Sequence, residues 1–259
     1  MVDRNLELNE SQIHRYSRNI LLNDIGGIGQ KKLLSAKVLV VGAGGLGSPV
    51  LYYLAASGIG NIGIIDHDQV DISNLQRQIL YSTNDIKRKK ATRAKEKLIS
   101  LNPDINVKVY TDKLNVNNIN NVIKDYDFIA DGSDNFETRF ILNDNCFSQK
   151  KVLISGAVQG FEGYISTFNF NDKISSPCYR CIFPEPPPDD IVENCSTAGI
   201  LGSVAGVVGS IQATEIVKEI LEIGDSLTGW LIIFDGINSE FRKIKVRKDP
   251  KCSTCNIFT

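Results

Sequence analysis

Apolar positions follow two rhythms along this chain, and the change comes near Ser155. Before it, short apolar runs alternate with segments whose apolar positions recur every three or four residues, the pattern of strands separated by helices. Lys37–Val41 and Asn61–Ile65, together with 105–110, 127–131 and 151–155, read as strands. Between them, 46–57 reads as a helix closing at Gly58, and 85–101 as a charged helix ending ahead of Pro103. The stretches 115–124 and 135–150 complete the helical set of this half. After Ser155 the period falls to two, with Tyr164, Ser166, Phe168 and Phe170 on one side of a strand that adds antiparallel. A long helix over 198–223, rich in small residues suited to close backbone packing, and strands over 231–235 and 241–246 finish the chain. The predicted class is α/β: a Rossmann-like open, mostly parallel sheet with antiparallel C-terminal strands.

Two stretches stand outside that alternation. Residues 9–22 read as an amphipathic helix with Asn9 as N-cap, Gln12 in the reciprocal position, and Ile13, Tyr16, Ile20 and Leu21 on one face. The proline- and acid-rich stretch 175–194 is too long for a simple connection and reads as a crossover or binding lid. A single domain over 1–259 is expected: a helical arm (1–35), a nucleotide-binding half (36–155) and a second half (156–259).

Composition narrows the function classes. With 259 residues and 42% hydrophobic content the chain can bury a full core. Its 29 basic and 30 acidic residues give a net charge of -1, so the balance favours neither nucleic acid nor an anionic membrane. The N-terminal residues carry no apolar signal-peptide core, which predicts a cytoplasmic address. The least polar stretch, 199–217, is interrupted by Ser203, Ser210, Gln212, Thr214 and Glu215, against a membrane span.

The first predicted strand runs straight into Gly42, Gly44, Gly45 and Gly47. Gly42, Gly44 and Gly47 have the spacing of a dinucleotide fingerprint: a tight turn, an uncluttered approach for phosphate, and close packing of the next helix. Asp66 ends the second strand, where a carboxylate can accept hydrogen bonds from a ribose. Together they predict an adenosine-type nucleotide. A nicotinamide enzyme needs little more, whereas a triphosphate needs cations. Arg77 offers a guanidinium fork and Lys90 a point charge near the start of the charged helix, with Asn74 and Gln76 as neutral donors. Asp131-Gly132-Ser133-Asp134-Asn135 lies at the carboxyl end of a strand, where Asp134 can hold Mg²⁺ or cap the following helix.

Cys178 and Cys181, with Cys252 and Cys255, form two pairs with the two-residue gap of metal knuckles, and predict a closed four-thiolate zinc site with no open coordination position. Disulfides or a redox dithiol are the competing readings. Cys146 reads as a small buried hydrophobe. Cys195 is either an inert loop cysteine or a thiolate activated near a helix N-terminus.

Taken in order, Arg15-Tyr16-Ser17-Arg18, the glycine loop 42–47, Ser73-Asn74-Leu75-Gln76-Arg77-Gln78, the 131–135 segment and Pro177-Cys178-Tyr179-Arg180-Cys181 resemble the ubiquitin-activating superfamily. The likeness runs from about Glu10 to Cys255 and is greatest to the small MoeB/ThiF-type adenylyltransferases. It implies that Gly45 and Asp66 contact ATP, that Ser73, Asn74, Leu75, Gln76 and Arg77 line the nucleotide pocket, and that Lys90 meets phosphate. Asp134 with Asn135 would sit at the Mg²⁺ and ATP position. Arg18 would reach a neighbouring subunit's site in a homodimer, and Cys195 would be the cysteine that forms a covalent adduct in some members only. The implied reaction is adenylation of the C-terminal Gly-Gly carboxylate of a small β-grasp, ubiquitin-like sulfur carrier, in molybdopterin or thiamine synthesis, so that 156–259 would be the carrier-binding and zinc half. The alternatives are an NAD(P)-dependent oxidoreductase and a silent carrier-binding scaffold. Relatives often have glycine where this chain has Lys87, three residues before the lysine. The chain stops at Thr259 without a rhodanese-like extension, which predicts a separate sulfur donor.

Overall fold

The computed structural model describes residues 7–171, 176–186 and 199–256. Eight strands form one sheet in the order β3-β2-β1-β4-β5-β6-β7-β8. They are β1 (Lys37–Val41), β2 (Asn61–Ile65), β3 (Asn106–Tyr110), β4 (Phe128–Asp131), β5 (Val152–Gln159), β6 (Glu162–Asn169), β7 (Trp230–Asp235) and β8 (Glu240–Lys245). Strands β1 to β5 pair in parallel, and β6, β7 and β8 add antiparallel. The predicted class is the observed one. Strand β1 lies between β2 and β4, so the order reverses there and opens a crevice at the strand ends, where such sheets bind ligands.

Helices α1 (Glu10–Arg15), α2 (Ser17–Ile20), α3 (Gly26–Ser35), α4 (Gly47–Ser57), α5 (Lys90–Leu101), α6 (Ile119–Ile123), α7 (Phe136–Ser148), α8 (Tyr179–Ile182) and α9 (Gly202–Leu221) cover the sheet. One core joins Val38, Val40, Ile62 and Ile64 to Leu51, Leu54, Leu98 and Ile216; the opposite one joins Leu39, Ile129 and Leu153 to Ile123, Leu142, Phe168 and Tyr179. Inward-facing residues therefore alternate along β1, as a sheet covered on both faces requires. Helix α9 lies close on α4: a Cβ at Gly209 would stand 2.5 Å from Pro49 and 2.6 Å from the Leu46 carbonyl oxygen.

Several boundaries differ from the sequence reading, each for a local reason. The helix expected over 9–22 keeps its Asn9–Gln12 capping box but breaks at Tyr16. Tyr16 turns inward, its hydroxyl accepting from Asn102 Nδ2 at 2.9 Å, while Ile13 and Leu21 are left 49% and 69% exposed instead of on a buried face. Helix α3 lies within the expected helical arm of 1–35, in which the sequence reading delimits only the helix over 9–22. The charged helix begins at Lys90 rather than Asp85, because Asp85 closes a 3₁₀ turn onto Ser82 and Lys87 adopts a left-handed φ of 68°. Strand β5 continues past Ser155 to Gln159, because β6 pairs with it as far as Gln159 opposite Glu162. The predicted beginning of the long helix at 198 lies outside the described residues, as do 187–194 of the predicted lid.

Candidate active site

The crevice beside β1 is built largely from backbone. After Val41 the chain turns at Gly42 with φ +85°, and a Cβ there would meet the Gly132 carbonyl oxygen at 2.8 Å. A Cβ on Gly47 would lie 1.9 Å from the Gly42 carbonyl oxygen, so Gly47 serves the packing of α4 on its own loop and does not face the cleft. Asp66 fixes the loop from the next strand: Oδ2 accepts from the Ala43 N–H at 2.8 Å and Oδ1 from the Asp68 N–H at 2.8 Å. The Tyr81 hydroxyl, whose ionisation burial suppresses, donates toward the carbonyls of Ala43 (2.9 Å) and Lys90 (3.2 Å) and ties the loop to α5.

A cavity of about 150 Å³ opens here, lined among others by Gly42, Gly44, Gly45, Asp66, Arg77, Lys90, Asp134 and Asn135. Lys90, the first residue of α5, is 5% exposed and its Nζ lies 3.0 Å from Asp68 Oδ2. Arg77 is half-buried, its Nη1 donating to the Ser73 carbonyl at 3.1 Å. Asp134 and Asn135 are exposed at the carboxyl end of β4. The N-cap of α7 is Asn135, whose Oδ1 accepts from the Thr138 N–H at 2.9 Å, which leaves Asp134 without that duty. Its carboxylate is thus an oxygen donor facing the cleft, suited to a hard cation.

The other expected site residues stand apart. Ser73, Asn74, Leu75 and Gln76 do not line the cavity; Ser73 and Asn74 belong to a capped 3₁₀ turn (Ile72–Asn74) that Leu75 closes, just ahead of Arg77. Arg18 lies exposed on α2, also outside the lining. Cys195 lies outside the described residues.

Among the cleft residues to which sequence reasoning gave no role are Gln78, Ser133 and Arg139. Gln78 is buried beside Gly44 and its Oε1 has no hydrogen-bond partner; Arg139 is buried and its Nε has none. Unpaired buried polar atoms are costly unless a ligand satisfies them, so both fit a cleft made for a polar molecule. Arg139 had a sequence signal: it falls on the helical face shared by Phe136, Phe140 and Asn143, where a cation is out of place. Asp131 lies below, fully buried; burial raises its carboxyl, opposed by Arg139 and by Ser133, whose Oγ and N–H donate at 2.6 and 3.0 Å.

A second cavity of about 270 Å³ adjoins the first and shares Asp134, Arg139 and Val158 with it. Its remaining wall is largely apolar, with Phe136, Phe168, Tyr179, Ile182, Phe183 and Leu231.

Behind this wall the four predicted cysteine sulfurs converge. Cys178 and Cys252 lie 3.5 Å apart, Cys181 and Cys255 3.4 Å, and Cys178 and Cys181 4.0 Å. Four thiolates at about 2.3 Å from zinc stand roughly 3.8 Å from one another, so the set fits that ion and none of these distances is a disulfide. Burial, and after it the neighbouring Cys181 and Cys252 sulfurs, push the Cys255 thiol up to about 12, and a cation at the centre of the set would oppose that shift. Asp144 joins the two knuckles, accepting from Arg180 at 2.9 and 2.8 Å and from Thr254 Oγ1 at 2.8 Å. Cys146 is buried in the core, as expected of a small hydrophobe.

The ThiF family model matches residues 16–254. The chain is 42% identical over 248 residues to "Sulfur carrier protein adenylyltransferase" of Thermus thermophilus, covering 95% of this chain and 92% of that protein. It is 44% identical over 251 residues to "Adenylyltransferase and sulfurtransferase MOCS3" of Culex quinquefasciatus, and there it spans 96% of its own length but 57% of the relative's. Among solved structures it resembles E. coli MccB with MccA-N7isoASN (TM-score 0.82, 25% identity, 96% of this chain and 76% of that one). It also resembles E. coli MccB with ATP (TM-score 0.81, 25% identity, 93% and 74%). Among the described residues no helix is long and apolar enough to cross a membrane.

Proposed function

The chain belongs to the ThiF family, and from that premise we propose that it is a nucleotidyltransferase that uses ATP to adenylate the C-terminal carboxylate of a small ubiquitin-like sulfur-carrier protein. The observation that carries this reading is the single cleft that gathers the glycine loop, Asp66, Arg77, Lys90 and Asp134. An oxidoreductase would use the first two and leave the last three without a task.

In the proposed reaction a carboxylate oxygen of the carrier's Gly-Gly terminus attacks the α-phosphorus. The new bond is carboxylate oxygen to phosphorus; the bond that breaks joins the α-phosphorus to its bridging oxygen, and pyrophosphate leaves with that electron pair. No general base is required, because the nucleophile is ionised at neutral pH. Gly44 and Gly45 leave room for phosphate, Asp66 and Gln78 accept from the nucleoside, and Lys90 exchanges Asp68 for a phosphate oxygen. Arg77 faces the same charge. Catalysis is then positioning plus stabilisation of charge by preorganised groups.

The cleft lining balances Arg77, Lys90, Lys113 and Arg139 against Asp66, Asp68, Asp112 and Asp134, so a triphosphate entering it needs a further positive charge. Asp134 would hold the accompanying Mg²⁺, which neutralises phosphate and leaving-group charge. Zinc in the cysteine set has no open position and would tie the knuckles together. The 36–155 segment would be the nucleotide half and 156–259 the carrier and zinc half of one domain, behind the helical arm 1–35. Exposed Leu21, Leu22 and Ile28 beside Arg18 favour a homodimer in which Arg18 serves the neighbouring copy. A separate donor would supply the sulfur. The free-thiol chemistry favours the cytoplasm. Molybdopterin and thiamine synthesis are the two settings the reading admits.

Carrier-dependent exchange of radiolabelled pyrophosphate into ATP, with mass detection of the adenylated carrier, tests the reading across candidate Gly-Gly proteins. Exchange with at least one carrier, retained by Cys195→Ala, is expected. Tight NADH binding without ATP binding would replace the reading by an oxidoreductase.

A further inference from the structure

Arg139 stands in the wall between the nucleotide cleft and the aromatic cavity, and it lines both. It is 9% exposed. Its Nη2 donates to the Ser133 carbonyl at 3.1 Å, Phe136 lies 5.3 Å from the guanidinium carbon, and Nε has no hydrogen-bond partner. No carboxylate among the described residues forms an ion pair with it, although the other buried cation among them, Lys90, is paired with Asp68. A buried guanidinium is expensive unless paired with an anion, and leaving one of its donors open adds to that cost. Asp131 and the Tyr179 hydroxyl feel the Arg139 charge, but neither forms an ion pair with it, and the Asp131 oxygens are taken up by Ser133 and Ser155.

The geometry points to an anion supplied from outside, and we infer that Arg139 receives the carrier's terminal carboxylate and positions it between the aromatic cavity and the nucleotide cleft. The inference rests on the adenylyltransferase reading and names a group that reading leaves undefined. Three features select a carboxylate at the end of a chain over another phosphate. The guanidinium fork matches a carboxylate in two bonds. The adjoining cavity is apolar and aromatic, able to take the residues that precede the terminus but not the rest of a triphosphate. Asp134 stands at the same wall, and its charge would repel an incoming carboxylate that had no cation to meet it. Arg139 therefore sets where the nucleophilic oxygen waits.

The test compares a β-grasp carrier that wild-type enzyme adenylates with the same protein made to end in a carboxamide, each titrated in the presence of a non-hydrolysable ATP analogue. Wild type is expected to bind the carboxylate about 10- to 100-fold more tightly than the amide. With the ATP analogue saturating for each variant, that preference should fall to within about threefold in Arg139→Gln, and Arg139→Lys should keep part of it. A wild-type preference retained in Arg139→Gln overturns the inference. So does a parallel loss of ATP-analogue binding and of thermal stability, which would make Arg139 a structural residue. If no carrier is adenylated by wild type, the adenylyltransferase reading itself fails, before any variant is made.

Discussion

The parallel and antiparallel halves build their surfaces by opposite means. Between β1 and β5 much of the cleft lining sits in short loops directly after strands: Gly42 to Gly45 after β1, Asp66 after β2, and Ser133 to Asn135 after β4. Their placement depends on local backbone conformation, such as φ +85° at Gly42. In the antiparallel half the cavity wall is made by alternate side chains of neighbouring strands, Ser155, Ala157 and Gln159 on β5 and Tyr164, Ser166 and Phe168 on β6. There the cysteine knuckles bring together residues 74 positions apart. A loop of glycines encodes its geometry where it stands; a wall assembled from distant strands does not.

The largest effect should come from separating the halves. Removing zinc with a chelator, or replacing Cys252 by serine, should cost several kcal/mol and lower the melting temperature by about 10 °C or more. Near 20 °C the ATP-analogue affinity should stay within about fivefold while carrier binding is lost. Equal losses of both, read by calorimetry, would show that the halves act as one unit and end the contrast drawn here.

On the parallel side, Asp134→Ala should reduce pyrophosphate exchange by about 100- to 1,000-fold, and Lys90→Ala by about 100-fold. Asp134 is exposed and caps no helix, so its variant should melt within about 2 °C of wild type. Near-normal exchange in Asp134→Ala would remove the metal assignment and leave the cleft a binding site only.

What the sequence disclosed follows the same division. The glycine loop, Asp66 and the cluster of four cysteines were legible because motifs of these kinds have a fixed spacing suited to a phosphate or a metal. Tyr16 was assigned correctly to the inside but its helix was drawn too long, because what breaks it is Asn102, 86 residues away. Arg139 went unremarked for a like reason: its meaning arises only when α7 lies beside a cavity lined by β5, β6 and α8. Ser73 to Gln76 were expected to touch the nucleotide, yet in this chain they lie outside the cavity, and the Ser73 carbonyl accepts from Arg77.

The join between α7 and the cysteine knuckles of the antiparallel half should be sensitive to acid. Burial by itself would raise the Asp144 carboxyl, but hydrogen bonds from Arg180 and Thr254 outweigh it and hold the group below its ordinary value. A depressed folded value means that this contribution is complete above the unfolded carboxyl pKa of about 3.9 and fades as pH falls through the folded one. Asp144→Asn should cost about 1–2 kcal/mol at pH 7 and flatten the stability curve between about pH 4 and 2. Denaturant titrations at several pH values measure both. An unchanged acid limb would mean that the knuckles are joined by zinc alone, and that Asp144 adds nothing across the two segments.

The smallest effect tests whether backbone conformation governs the parallel half even where no ligand is near. Lys87 holds a left-handed φ of 68°, is exposed, and donates its N–H to the Val70 carbonyl at 2.8 Å. That bond returns the chain toward β2 and lets α5 begin at Lys90. A side chain in this conformation costs about 1 kcal/mol or a little more, while glycine loses about 0.5–1 kcal/mol through the greater freedom of its unfolded chain. The difference is small but its sign favours glycine, so Lys87→Gly should raise stability by about 0.5 kcal/mol, near 1–2 °C in melting temperature. Lys87→Ala keeps the Cβ and should not gain. If alanine stabilises as much as glycine, the benefit comes from losing a lysine among Arg88, Lys89 and Lys90, and charge rather than φ is what strains this turn.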